Sequence, residues 1–156
     1  MLSKSRNRLV EGSKYKIGIV RSRFNDSITR GLLRGCLKAL NESKVKEKKI
    51  TVLEVPGSFE LPLGAQEMAK TKKYDAIICL GSIIKGETNH DVYIANACSQ
   101  GIMSVSLVHD IPVLFGVLTT SNAKLAKARA SDDDRNKGYE CGLAAVEMVG
   151  ALAGLR

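Results

Sequence analysis

The stretch Asp75–Val108, DAIICLGSIIKGETNHDVYIANACSQGIMSVSLV, changes its period midway, and that change decides the fold. Its opening run, DAIICL, is apolar, of strand length and bounded by turn residues. From His90 onward Val92, Ala95, Cys98, Ile102 and Val105 recur at helical spacing. Between the two lies GSIIKGETNH (Gly81–His90), which crowds two glycines, a Lys, a Thr and a His into one strand-to-helix join.

The same alternation runs through the rest of the chain. YKIGIV (15–20) leads into NDSITRGLLRGCLKALNES (25–43), with Ile28, Leu32, Leu33, Cys36, Leu37 and Leu40 at helical spacing and Asn25 or Asp26 placed to cap. ITVLEV (50–55) precedes FELPLGAQEMAK (59–70), where Pro62 falls in a first turn that tolerates it. IPVLFGVL (111–118) precedes SNAKLAKARA (121–130), and a last helix runs through KGYECGLAAVEMVGALAGL (137–155). Apolar strands alternating with helices predict a parallel sheet covered on both faces, and four strands predict an open sheet rather than a barrel. Residues 15–156 are therefore expected to form one doubly wound α/β domain, a three-layer α/β/α sandwich. Residues 1–14, basic and without periodicity, read as a loose N-terminal arm.

Composition narrows the function. With 44% hydrophobic and 26% charged residues, the 156-residue chain is neither disordered nor fibrous. No apolar run approaches the roughly 20 residues of a membrane helix, and the N-terminus lacks the apolar stretch of a secretory signal. Cys36, Cys79, Cys98 and Cys141 form no CxxC pair and sit in apolar periodic segments, which predicts reduced core thiols, no metal and a cytoplasmic setting. The net charge of +8 suggests phosphorylated small molecules or nucleic acid as partners. Much of that charge lies in the arm and in SKVKEKK (43–49), and 4% aromatic residues are too few for base stacking, so nucleic acid is not expected.

In open parallel sheets ligands bind beyond the carboxyl ends of the strands. That rule gathers RSRFND, PGSFE, GSIIKGETNH and TTSN, where the unusual residues concentrate. Gly86 allows close backbone approach, and Glu87 and Thr88 begin a helix whose free N–H groups attract an anion. Small residues at such a join also serve bare chain geometry, and the pattern is neither a Walker A loop nor a GxGxxG turn. The positive end of the helix favours a neutral imidazole at His90, able to take a proton; a surface His at a helix start is the plainer reading. Phe24 either plugs the core or offers a flat face to a ring. VPGSFE supplies turn amides and Ser58, while Arg129 and Lys137 bracket the acidic ASDDDRN, which reads as a solvated loop. His109, in VHDIP, reads as a turn residue.

Together GIVRSRFND, VPGSFELP, YDAIICLGSIIKGETNHDVYIANACSQGI, IPVLFGVLTT and RNKG, in this order and spacing, resemble the lumazine synthase family from Lys16 to about Met148. The resemblance implies a flavodoxin-like sheet and a cytoplasmic enzyme of riboflavin biosynthesis. It implies condensation of 5-amino-6-(D-ribitylamino)uracil with 3,4-dihydroxy-2-butanone 4-phosphate to 6,7-dimethyl-8-ribityllumazine, without metal or cofactor. It makes His90 the proton-transfer residue and stacks Phe24 on the pyrimidine, with Ser58 and the backbone of Ser82, Ile83 and Ile84 reading its edges. Asn25, Phe59 and Glu60 match the ribityl contacts; Thr88, Arg129 and the backbone of Glu87 match the phosphate contacts. Lys137 matches a contact to the pyrimidine carbonyl, and Phe115 a ring lent by the adjacent subunit. Implied partners are the two substrates, further copies of the chain and riboflavin synthase. Neither Lys85 nor Lys137 is expected to form a Schiff base, because the substrate brings its own amine. Shell-forming members carry glycine where this chain has ASDDDRN, so a pentamer, the family minimum, is the expected assembly. Arg129 lies about nine residues past the fourth strand on a returning helix. It is thus expected near the far rim of the sheet, with a neighbour completing each site.

Overall fold

The computed structural model describes residues 8–156. Strands β1 (Ile17–Ser22), β2 (Ile50–Val55), β3 (Ala76–Ile84) and β4 (Val113–Thr120) alternate with helices α1 (Asp26–Glu42), α2 (Leu61–Lys70) and α3 (His90–His109). After β4 come the short α4 (Ala123–Ala128) and the long α5 (Lys137–Ala153). The sheet is parallel throughout, in the order β2-β1-β3-β4. That is the flavodoxin-like order, and its crevice opens where the winding reverses between β1 and β3.

Side chains alternate across each strand and feed two cores. Ile17, Ile19, Ala76, Ile78 and Leu80 pack against Leu32, Cys36 and Leu40 of α1 and Cys141, Ala145 and Val146 of α5. Val20, Ile77 and Cys79 face Leu61, Ala65 and Met68 of α2 and Cys98, Ile102 and Val105 of α3. Each fully buried aliphatic side chain contributes roughly 1.5–3 kcal/mol, so the central strands carry the fold. The edges are barer than expected: Val52 and Leu53 of β2 and Phe115 of β4 are each 38% exposed. Two main helices per layer cover the middle of the sheet and stop short of its margins.

Glycines set the α1–α5 spacing. A side chain at Gly138 would run into the carbonyl of Leu32, and one at Gly35 into the amide of Asn136. At Gly142 it would stand 2.7 Å from Ala39 Cβ and 2.9 Å from the Cys36 carbonyl. The two helices therefore meet backbone to backbone, with Cys36 and Cys141 along the seam. All four cysteines are free and buried, and burial pushes the Cys98 and Cys141 thiols up to about 11.

Several local expectations are corrected. β3 continues four residues past Leu80, because β4 keeps pairing with it as far as Ile84↔Thr120 after the β1 register has ended at Arg21↔Leu80. Asn25 stands at the N-cap of α1 yet its side chain makes no cap hydrogen bond; its backbone is left-handed (φ 59°) and its side chain serves the neighbouring strand. Leu37 points outward from α1, one helical step off the buried stripe through Leu32, Cys36 and Leu40. Val92 is also exposed, since the first turn of α3 overhangs the sheet. His109 closes α3 as its last residue. Residues 1–7 of the arm lie outside the described residues. From Arg8 the arm is not loose: Val10 packs on the α1–α5 core and the Gly12 N–H donates to the Ser43 carbonyl at 2.7 Å. No helix among the described residues is long and apolar enough to cross a membrane.

Candidate functional site

A cavity of about 680 Å³ opens at the carboxyl edge of the sheet, over the β1/β3 crevice. Its walls come from three of the four loops collected by the sequence: Phe24 after β1, Gly57–Glu60 after β2, and Ser82–Ile84, Gly86, Thr88 and His90 around the end of β3. Aromatic rings are scarce here, three Phe and four Tyr in the chain. Three of those seven line this cavity and are well exposed: Phe24 at 72%, Phe59 at 61% and Tyr93 at 73%. Apolar rings left in water beside polar backbone mark a site for a flat ligand.

The extension of β3 supplies that polar backbone. N–H groups alternate in direction along a parallel strand, and those of Ile77 and Lys85 go to the β4 side. Ile84 therefore turns its N–H and carbonyl the other way, past the end of β1 and into the cavity it lines. The Asn25 Nδ2 donates to the Ser82 carbonyl at 2.9 Å, closing the strand edge next to it. Gly81 has a packing reason. A methyl there would lie 2.6 Å from Ser58 Oγ and 2.9 Å from Leu61 Cδ1, so only glycine lets Ser58 sit against β3.

At the other end of the cavity α3 begins later than the sequence suggests. Gly86–Asn89 form the turn, Asn89 takes the N-cap without a side-chain cap bond, and His90 is the first helical residue. Thr88 Oγ1 accepts from the His90 N–H at 3.4 Å. A Cβ at Gly86 would meet nothing within 4 Å, so the space over this turn is open to a ligand. The positive helix end suits an anion, although the His90 N–H goes to Thr88 and the Val92 N–H donates to the Asn89 carbonyl at 3.0 Å. Among the described wall residues there is no Lys or Arg, whereas Glu60 and Asp91 bring carboxylates. One oxygen of Glu60 accepts from the Gly57 N–H at 2.9 Å. The Ser82 Oγ and Asp91 Oδ1 are buried without a partner, which leaves polar atoms for a ligand to satisfy.

Phe24 and Asn25 rest on a charged brace. Arg21, 2% exposed on β1, donates from Nη1 to Asp26 Oδ1 at 2.8 Å and to Thr29 Oγ1 at 3.0 Å, and from Nη2 to Glu54 Oε1 at 2.7 Å. Thr29 Oγ1 in turn donates to the Ser22 carbonyl at 2.7 Å. The Arg21 hydrogen bond holds both Asp26 and Glu54 below the ordinary carboxylate range. Across the turn the Arg23 and Phe24 N–H groups donate to the carbonyls of Val55 and Pro56, at 2.8 and 2.9 Å.

The structure thus brings together Phe24, Ser58, Phe59, Glu60, Ser82, Ile83, Ile84, Thr88 and His90. Asn25 stands just behind them, and Glu87 lies in the turn between two wall residues. Phe115, Arg129 and Lys137 are elsewhere. Phe115 pairs with Cys79, five residues before Ile84 and so roughly 16 Å down the strand. Arg129 and Lys137 share the α1–α5 side of the sheet. The Lys137 N–H donates to the Arg129 carbonyl at 2.8 Å, and Glu140 Oε2 lies 3.7 Å from Arg129 Nη2. A side chain at Gly31 would collide with the Ala130 carbonyl, which puts this cluster about one and a half turns into α1. It is the sheet, and not the far rim, that separates Arg129 from the His90 side, because α4 ends after one and a half turns.

Sequence reasoning missed Gly57, Asp91, Tyr93 and Ile94 in the wall. Tyr93 and Ile94 stand three and four residues after His90, the spacing that shares one helix face, so the signal was present. Among the described residues no group of three or more His, Cys, Asp or Glu side chains could hold a metal ion. A family model described as 6,7-dimethyl-8-ribityllumazine synthase matches residues 14–153.

Proposed function

This chain belongs to the 6,7-dimethyl-8-ribityllumazine synthase family, and from that premise we propose that it is a cytoplasmic transferase of riboflavin biosynthesis. It condenses 5-amino-6-(D-ribitylamino)uracil with 3,4-dihydroxy-2-butanone 4-phosphate to 6,7-dimethyl-8-ribityllumazine, releasing phosphate and water. The observation that carries this reading is the aromatic cavity that joins the strand end at Ile84 to the helix start at His90.

The pyrimidine lies on Phe24, its amide edges meeting the Ile84 backbone and Ser58, and the ribityl hydroxyls reach Asn25, Phe59 and Glu60. The phosphate lies over Gly86–Thr88, at the positive end of α3. The uracil's amine attacks the ketone and water leaves, giving an imine. Loss of a carbon-bound proton then expels phosphate, and the second nitrogen closes the ring with loss of another water. His90 moves these protons from its place between the ring and phosphate ends. Both substrates are reactive by themselves, so holding them together supplies much of the acceleration.

A cation for the phosphate must come from outside the wall. We assign it to Arg129 of a neighbouring copy, with Lys137 and Phe115 arriving at the same cavity. The outer face of α3 supports an assembly: Val92, Tyr93, Met103, Leu107 and Val108 are all exposed. A helix apolar on both faces is one that is meant to be covered. A cyclic ring, a pentamer by family analogy, completes every site at once. The direct test is to mix purified protein with both substrates and follow lumazine absorbance; absence of product from folded protein would overturn the assignment.

A further inference from the structure

A fully buried arginine next to a binding loop calls for a reason. Among the described residues Arg21 is the largest fully buried side chain, and it is not part of the cavity wall. Burying a guanidinium is costly unless its donors are met, and here Nε has no partner. Met, close to the arginine stem in length, would occupy this position on β1 without that cost. What an apolar side chain lacks is the fork. The two Nη groups reach in different directions, to Asp26 at the first turn of α1 and to Glu54 on β2. Between those two anchors hangs the turn that carries Phe24 and the left-handed Asn25.

We propose that Arg21 is a positioning residue: by clamping α1 to β2 it fixes the Arg23–Asn25 turn and so sets the tilt of the Phe24 ring. The consequences reach the cavity along two covalent arms. Moving Asp26 moves Asn25, whose amide holds the Ser82 carbonyl at the cavity edge. Moving Glu54 shifts Val55 and Pro56, whose carbonyls receive the Arg23 and Phe24 amides. The helix start at His90 stands on the other side of the cavity and shares none of these bonds. Arg21 therefore governs the ring end of the site and leaves the phosphate end alone. The proposal rests on Phe24 being the ring-stacking face.

Arg21→Met separates this role from plain stability. Met fills the space of the arginine stem, Asp26 and Glu54 are 47% and 52% exposed and can turn to water, and Thr29 keeps its bond to Ser22. Calorimetry with 5-amino-6-(D-ribitylamino)uracil should show binding weakened by about tenfold or more, the scale of a misplacement near 1 Å. Inorganic phosphate should bind as in the parent. Without any ligand, hydrogen exchange at the Arg23 and Phe24 amides should rise about tenfold. Unchanged uracil binding overturns the proposal, and so does a parallel loss of both ligands, which would mark general loosening. Should Arg21→Met fail to fold, Glu54→Leu removes one arm at a half-exposed strand position, and the same split between ligands decides. If the parent protein itself binds no aminouracil, the functional assignment fails; amide exchange at Phe24 then still supports or overturns the clamp.

Discussion

The proposed function divides single residues of the cavity between positioning and proton transfer. His90 heads α3 with its backbone tied to Thr88, so removing its imidazole leaves the turn and the anion site in place. His90→Ala is expected to cut turnover about ten- to a thousandfold, the usual worth of one acid–base group, with aminouracil affinity nearly unchanged. Single-turnover kinetics beside a binding titration checks this, and unchanged turnover would remove His90 from the chemistry. Asp91 shows what the sequence hides at this scale. An acidic residue in a first helical turn is explained well enough by the dipole, and nothing in the string says that one of its oxygens is buried without a partner.

Helices and strands depend on glycines in different ways, and substitution should sort them. Gly138 admits no Cβ because the Leu32 carbonyl occupies the space, so Gly138→Ala should force α1 and α5 apart at a cost of about 3 kcal/mol or more. Gly86 has open space and no positive φ, so Gly86→Ala should be neutral to within about 1 kcal/mol. Denaturant midpoints of the two variants give the comparison; equal shifts would refute the packing account. The elements themselves were legible because their periods are clean. Ile28, Leu32, Cys36 and Leu40 mark one helix face, and runs such as DAIICL have strand length between turn residues. The boundaries were not. Where β3 stops depends on how far β4 accompanies it, and no local signal in GSIIKGETNH records the length of another strand. Likewise Asn25 reads as an ordinary cap until Ser82, distant in sequence, appears beside it.

At the level of the molecule, the cluster around Arg129 and the cavity around His90 lie on opposite sides of the sheet, so the proposed function requires a neighbouring copy to reunite them. Equal amounts of an inactive His90 variant and an inactive Arg129 variant, unfolded and refolded together, should regain about a quarter of parental activity, since random mixing joins intact partners at that fraction of interfaces. Mixtures that stay inactive after proven subunit exchange would put both residues in one chain's site. The four buried cysteines have a consequence of another kind. They are spread through all three layers: Cys36 and Cys141 under α1 and α5, Cys79 in the sheet, and Cys98 under α3. With burial holding their thiols protonated, a soluble alkylating reagent should find none of them until a layer lifts. Labelling followed by mass spectrometry then becomes a clock for breathing, and the order in which the cysteines are tagged reads out which face of the sheet comes away first. Rapid tagging of all four in buffer alone would mean that the packing described for these layers is not kept in solution.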